Sequence, residues 1–256
     1  MRHRTGLPRG LRAAGTVTRD RGTGTRLLAV FLVAELALAG TSLLFALLLS
    51  RAGWSPAEVG QPLWPLPLLL VVPALVAVLV AAGGLRLVGG GPRPGRVRRE
   101  WAGVRRDVLV GAAFGAGGLL LVVPAAAMWS AWTDGGGSAA GHLLDGREPG
   151  LGAGIAIFLT VWLIAPIAEE VLFRGVLWRA LEHWGCHRWV VFAVTTAAFA
   201  LSHLEWQRTP LLVVVAIPIG LARLCTGTVT AAIAAHQFNN FLPALATLLT
   251  GFGVLD

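Results

Sequence analysis

Apolar runs of membrane-spanning length, separated by short arginine-rich breaks, leave this chain few ways to fold. The run from Leu27 to Leu49 holds a single ionisable side chain, Glu35. A helix needs about 20 consecutive apolar residues to cross the hydrocarbon core. Seven segments meet or approach that length: Leu27–Ser50, Leu63–Leu85, Val108–Trp132, Leu151–Ala168 (with an open end), Trp189–Leu204, Leu211–Ala222 and Thr228–Phe252. Lipid offers backbone groups no water, so such segments close their hydrogen bonds within helices, and a proline such as Pro218 is tolerated where neighbours serve the freed carbonyl. The expected fold class is all-α, a polytopic transmembrane bundle of about seven spans.

Composition agrees. Only 13% of residues are charged and 55% are hydrophobic, whereas a soluble domain carries about 25% charged residues. The net charge of +8 does not point to nucleic acid, because the basic residues cluster between apolar runs and form no aromatic-and-basic module. All 21 basic residues are arginine. With a cytoplasmic N-terminus, the arginines of the tail, those from Arg86 to Arg106, and Arg174, Arg179, Arg188 and Arg223 fall inside. Arg51, Arg147 and Arg208 are left outside. Such asymmetry follows the positive-inside rule and predicts an N-in, C-out arrangement, with Trp54, Trp101, Trp132, Trp184, Trp189 and Trp206 near span ends as an aromatic belt. Ala37-Leu38-Ala39 imitates a signal-peptidase site, but the apolar run around it is too long for a signal peptide and reads as an uncleaved first helix.

Three regions are expected: an Arg-rich cytoplasmic tail over 1–26, three membrane helices over 27–149 with an Arg-rich loop at 86–106, and a polar-rich membrane core over 150–256. The tail is expected to lie disordered on an anionic membrane surface. The glycine-rich Gly135–Ser138 stretch reads as the start of a flexible external loop. Cys186 and Cys225 fit no metal spacing and read as inert thiols.

Ionisable groups inside spans are costly, about +2.5–3.5 kcal/mol at the bilayer centre, and each calls for a reason. Glu35 stands alone and reads as a protonated or interhelically hydrogen-bonded side chain. The others come in three clusters at helical spacing. In Glu169-Glu170-Val171-Leu172-Phe173-Arg174, Glu170 and Arg174 are four apart with the acid first, the favourable order for an ion pair. Glu169 lies about 100° around the helix and faces elsewhere. Phe199 shares a face with His203, and His236 with Asn240. Each cluster alone has a plain reading: a solvated helix end, a packing histidine, an interhelical hydrogen-bond pair. Together they supply the parts for hydrolysis. A glutamate takes a proton from water, a histidine shares that task, and a His–Asn pair donates hydrogen bonds to an oxyanion.

In form and order these three clusters resemble the motifs of the CPBP family, the CAAX prenyl endopeptidase and bacteriocin-processing (Abi) proteins, over roughly residues 150–249. The resemblance implies a helical bundle with a polar intramembrane cavity, an intramembrane endopeptidase activity, and residence in a bacterial plasma membrane. It implies that Glu169 with His203 activates the hydrolytic water, that His236 and Asn240 bind the oxyanion, and that Glu170, Arg174 and Phe199 support the site. The implied partners are the lipid bilayer and a lipidated or membrane-bound peptide or protein, and no nucleic acid. Two metal readings stay open: Zn²⁺ held by Glu169, His203 and His236 with a water in fourth position, or glutamate-based activation without metal. A proton-coupled transporter and a non-catalytic scaffold or immunity protein are the alternatives from other classes.

One difficulty stands. With the fourth span ending near Ala168, Glu169 sits at one membrane face while His203 lies some 21 Å along the fifth span. Either the fourth helix runs on through about Trp178, or the fifth begins below the surface.

Overall fold

The computed structural model describes residues 19–55, 58, 60–89, 101–133, 147, 149–252 and 254. Among these the backbone forms seven helices and no strand. They are α1 (Arg21–Arg51), α2 (Pro65–Leu87), α3 (Ala102–Trp132, preceded by Trp101 in the same helix), α4 (Gly150–His183), α5 (Arg188–Ser202), α6 (Thr209–Thr226) and α7 (Val229–Gly251). The tail through residue 18, the stretch 90–100 and the Gly135–Ser138 stretch lie outside the described residues.

The chain is an integral membrane protein. Five helices, α1 to α4 and α6, are long and apolar enough to cross a membrane. The other two differ from expectation for physical reasons. α5 has 15 residues and is roughly 22 Å long, short of the ~30 Å hydrocarbon thickness. α7 is interrupted by His236, Gln237, Asn239 and Asn240, which lower its hydropathy. The Arg-rich loop is shorter than 86–106, because α2 runs to Leu87 and Arg105 and Arg106 already lie in α3. Likewise α1 begins at Arg21, inside the expected tail.

α4 resolves the depth difficulty. It is continuous for 34 residues, through Pro166, both glutamates and Arg174. Hydropathy reads the carboxylates as a helix end, whereas the backbone carries them into the bundle. Two π-helical stretches flank them, Thr160–Ile164 and Val171–Leu177. The first includes Trp162, the residue whose carbonyl the Pro166 ring would meet in an unbroken α-helix. The wider turn accommodates the ring. Such π insertions are common at functional sites.

α4 runs between α7 on one side and α1 and α2 on the other, while α3 packs on α6 and α7. The main core joins Phe31 and Ala34 of α1, Leu172 and Trp178 of α4, and Phe199 of α5. Asp20 caps α1 through Oδ1 to the Gly22 and Thr23 amides, and its own N–H donates to the His183 carbonyl at 3.1 Å. The start of α1 is thereby tied to the end of α4. The Thr23 hydroxyl, then its amide, hold the Asp20 carboxyl below the usual carboxylate range. The cap's contribution is therefore complete above about pH 4 and is lost as pH falls through the lower folded value. α6 and α7 are joined by Gly227, in the left-handed region at φ 72°, and Thr228, whose hydroxyl caps α7 at the Ala231 amide.

The aromatic belt is incomplete. Trp132, Trp189 and Trp206 are exposed, but Trp54 is buried with Leu63 and Leu66 and donates to the Pro62 carbonyl at 2.8 Å. That indole caps the α1–α2 connection. Cys186 and Cys225 are both free thiols.

Close packing of α3 on α7 depends on glycine. A Cβ at Gly115 would come within 2.6 Å of Phe238 Cβ and 2.8 Å of the Ala235 carbonyl, whereas at Gly117 nothing lies within 4 Å. Gly115→Val should therefore lower the thermal unfolding midpoint in detergent, by the equivalent of about 1–3 kcal/mol. Gly117→Val should leave it unchanged. Equal midpoints for the two variants would show that this seam does not hold the helices together.

Candidate active site

The three motifs meet where α4, α5 and α7 converge. Glu170 and Arg174 are completely buried and form an ion pair, Nη1 to Oε1, at 3.0 Å. The same Oε1 accepts a hydrogen bond from His236 Nδ1 of α7 at 2.9 Å. Removing charges from water costs several kcal/mol per ion, recovered only where geometry is close and the remaining valences are served. Here one carboxylate oxygen serves two donors from two helices. Glu170 Oε2 and Arg174 Nε and Nη2 find no hydrogen-bond partner among the described residues.

Phe199 explains the aromatic in the second motif. Arg174 lies over its ring at 4.7 Å, a cation–π contact that strengthens when desolvated. The same ring meets Phe173, His203 and His236 edge-on at 5.5, 4.8 and 5.5 Å between centroids. It thus holds both histidines in position.

His203 follows the last turn of α5. Its Nδ1 lies 2.8 Å from the Phe199 carbonyl. A carbonyl only accepts, so Nδ1 carries hydrogen and, in the neutral ring, the Nε2 lone pair is left outward. Leu204, with φ at 56° in the left-handed region, ends the helix immediately after it. The Ser202 hydroxyl donates to the Phe199 carbonyl at 2.9 Å.

His236 sits between the two glutamates. Its Nδ1 is committed to Glu170, and its Nε2 faces Glu169 Oε2 at 3.6 Å. Glu169 is the accessible member, with its side chain 29% exposed against 0% for Glu170. It lines a cavity of about 210 Å³ together with His203, Ser202 and Glu35. At roughly 30 Å³ per liquid water, the cavity accommodates several. His236 and Asn240 of α7 both lie outside that lining, and Asn240 donates one amide hydrogen to the Val161 carbonyl, at 3.2 Å, in the first π stretch.

The Zn²⁺ reading needs Glu169, His203 and His236 on one ion. Among the described residues no three His, Cys, Asp or Glu side chains converge as a metal site. His236 Nδ1 is held by Glu170 and His203 Nδ1 by a carbonyl, which leaves the Nε2 of each ring for an ion. As placed, the three side chains do not come together around one ion.

Two supporting residues escape sequence reasoning. Arg223 of α6 donates from Nε to the Arg174 carbonyl at 3.0 Å and lies over the Trp178 ring at 5.1 Å. Asn239 donates to the Val215 carbonyl at 3.4 Å, joining α7 to α6. Arg223 directly follows the apolar run Leu211–Ala222, which is the available signal. Both Arg174 and Arg223 are buried, so neither counts as a loop charge in the positive-inside argument.

Residues 151–242, a span that includes all three motifs, match the family described as Type II CAAX prenyl endopeptidase Rce1-like. No curated protein and no solved structure matches the chain.

Breaking the buried pair from one side strands a charge. Arg174→Met and Glu170→Gln should each destabilise the protein by about 3–5 kcal/mol. The double variant should cost less than their sum by about 0.5–3 kcal/mol. Unfolding in detergent measures all three, and strict additivity would show that the two residues do not act as a pair.

Proposed function

We propose, on the match of residues 151–242 to the Rce1-like family of type II CAAX prenyl endopeptidases, an intramembrane endopeptidase that hydrolyses a peptide bond with water held between Glu169 and His203. The family match supports a membrane protease. The residue roles and the substrate are the proposal. The observation that carries it is the convergence of Glu169 and His203 on one cavity. Helix rise explains that convergence: each lies roughly 21–22 Å from the α4–α5 turn.

Water in the cavity loses its proton to the Glu169 carboxylate while the outward Nε2 of His203 orients it. The oxygen attacks the scissile carbonyl carbon. His236, whose Nε2 lies 3.6 Å from Glu169, and Asn240 one turn further along α7 are assigned to the oxyanion, which the substrate carbonyl brings to them from the edge of the cavity. Asn240 retains a second amide hydrogen after serving Val161. Preorganised donors of this kind contribute about 10²–10³ in rate each. Glu170, Arg174 and Phe199 hold the geometry. No step is routed through a metal.

The substrate is a lipidated or membrane-bound peptide or protein, reached from within the bilayer. The arginines that remain outside the bundle favour a cytoplasmic N-terminus in a bacterial plasma membrane.

Purified protein in liposomes, given farnesylated Cys-aliphatic-aliphatic-Met peptides and membrane-anchored peptides, tests the proposal. Glu169→Gln should lower cleavage by at least about 10²-fold, and Asn240→Ala by about 10²–10³-fold. Cleavage unaffected by Glu169→Gln would place the base elsewhere. Chelator should leave the rate unchanged; loss restored by added zinc would instead establish a metal-assisted reaction.

A further inference from the structure

Glu35 of α1 is an ionisable group that this chemistry has not used. Its position is set by the backbone: α1 starts level with the end of α4, where the Asp20 amide meets the His183 carbonyl. From that level Glu35, Glu169 and His203 each lie about 14 or 15 residues along their helices, roughly 21–22 Å. All three reach the same depth and line the same cavity. The wall around Glu35 is mostly apolar, formed by Leu38, Leu69, Leu70 and Pro73 with Ser42 as its one polar member, and among the described residues no arginine lines the cavity. Glu35 Oε1 is buried and has no hydrogen-bond partner there.

Peptide hydrolysis has a second proton requirement. Once water has added and Glu169 holds its proton, the C–N bond breaks only if the nitrogen is protonated, because an amide anion is too basic to leave. Resting on the proteolytic reading above, we propose that Glu35 is the general acid that protonates the departing nitrogen. Two carboxylates lining one small cavity share one proton more readily than they carry two charges, and the mostly apolar wall around Glu35 makes it the side that keeps the proton. As the tetrahedral intermediate collapses, the C–N electron pair moves to nitrogen, and nitrogen takes the proton from the Glu35 carboxyl. The carbonyl re-forms, giving a carboxylic acid and an amine. The proton on Glu169 then passes through cavity water to the Glu35 carboxylate, which restores the resting state. The new acid releases its own proton to solvent.

A sulfur leaving group separates this role from a structural one, because a thiolate departs without a proton. The probes are a farnesylated Cys-Val-Ile-Met peptide and its analogue with sulfur in place of the scissile nitrogen. Glu35→Gln should lower hydrolysis of the amide by about 10²-fold or more and spare the thioester. Glu35→Asp should recover part of the amide rate. The infrared C=O stretch of a protonated carboxylic acid should be present in the resting wild-type protein and absent in Glu35→Gln. Equal loss on both probes, no loss on the amide, or an unchanged infrared band would each overturn the proposal. A wild-type protein that cleaves neither probe nor any membrane-anchored peptide would overturn the proteolytic reading, while the infrared band would still decide whether Glu35 holds the proton.

Discussion

The arrangement depends on one carboxylate oxygen. Glu170 Oε1 takes a hydrogen bond from Arg174 on its own helix and another from His236 on α7, in a place no water reaches. A buried charge of this kind is tolerable only while its partners stay in place. Everything that keeps them there therefore becomes part of the site. Phe199 brings α5 against the guanidinium, and Arg223 brings α6 against the Arg174 carbonyl. Four helices are thus referred to one ion pair. Glu169, the adjacent residue in the chain, is left facing the cavity because the helix turns about 100° between neighbours.

The two π-helical stretches have the complementary task. The first brings the Val161 carbonyl to Asn240 and the second includes Arg174, whose carbonyl is met by Arg223. A helix without those wider turns would keep such carbonyls for its own ladder. Distortion of α4 and attachment of its neighbours are then two aspects of one geometry. The depth of the site follows from the same helix, since α4 carries its glutamates well past the point where hydropathy ends.

Much of this was legible in the sequence, for identifiable reasons. Apolar runs report spans because lipid demands them, and the i, i+4 spacing of Glu170 with Arg174 reports an ion pair because the helix places those residues on one face. What hydropathy obscures is the site itself. It ends the fourth span at the carboxylates, where the backbone continues to His183. It assigns Arg174 and Arg223 to loops, although both are buried. It also treats Trp54 as an interfacial residue, whereas its indole closes a connection. Single-helix patterns cannot show partners on other helices, so the position of His236 between two glutamates and the shared cavity of Glu35, Glu169 and His203 emerge only from packing.

The proposed water activation by Glu169, without a covalent intermediate, would distinguish this site from a nucleophilic protease. It is tested most directly by following the solvent oxygen. Cleavage by the wild-type protein in water labelled with heavy oxygen should place one labelled atom in the new product carboxylate, and added hydroxylamine should yield no hydroxamate. A hydroxamate, or an acyl adduct on Ser202, Cys186 or Cys225, would mean that a side chain attacks first and would contradict the mechanism.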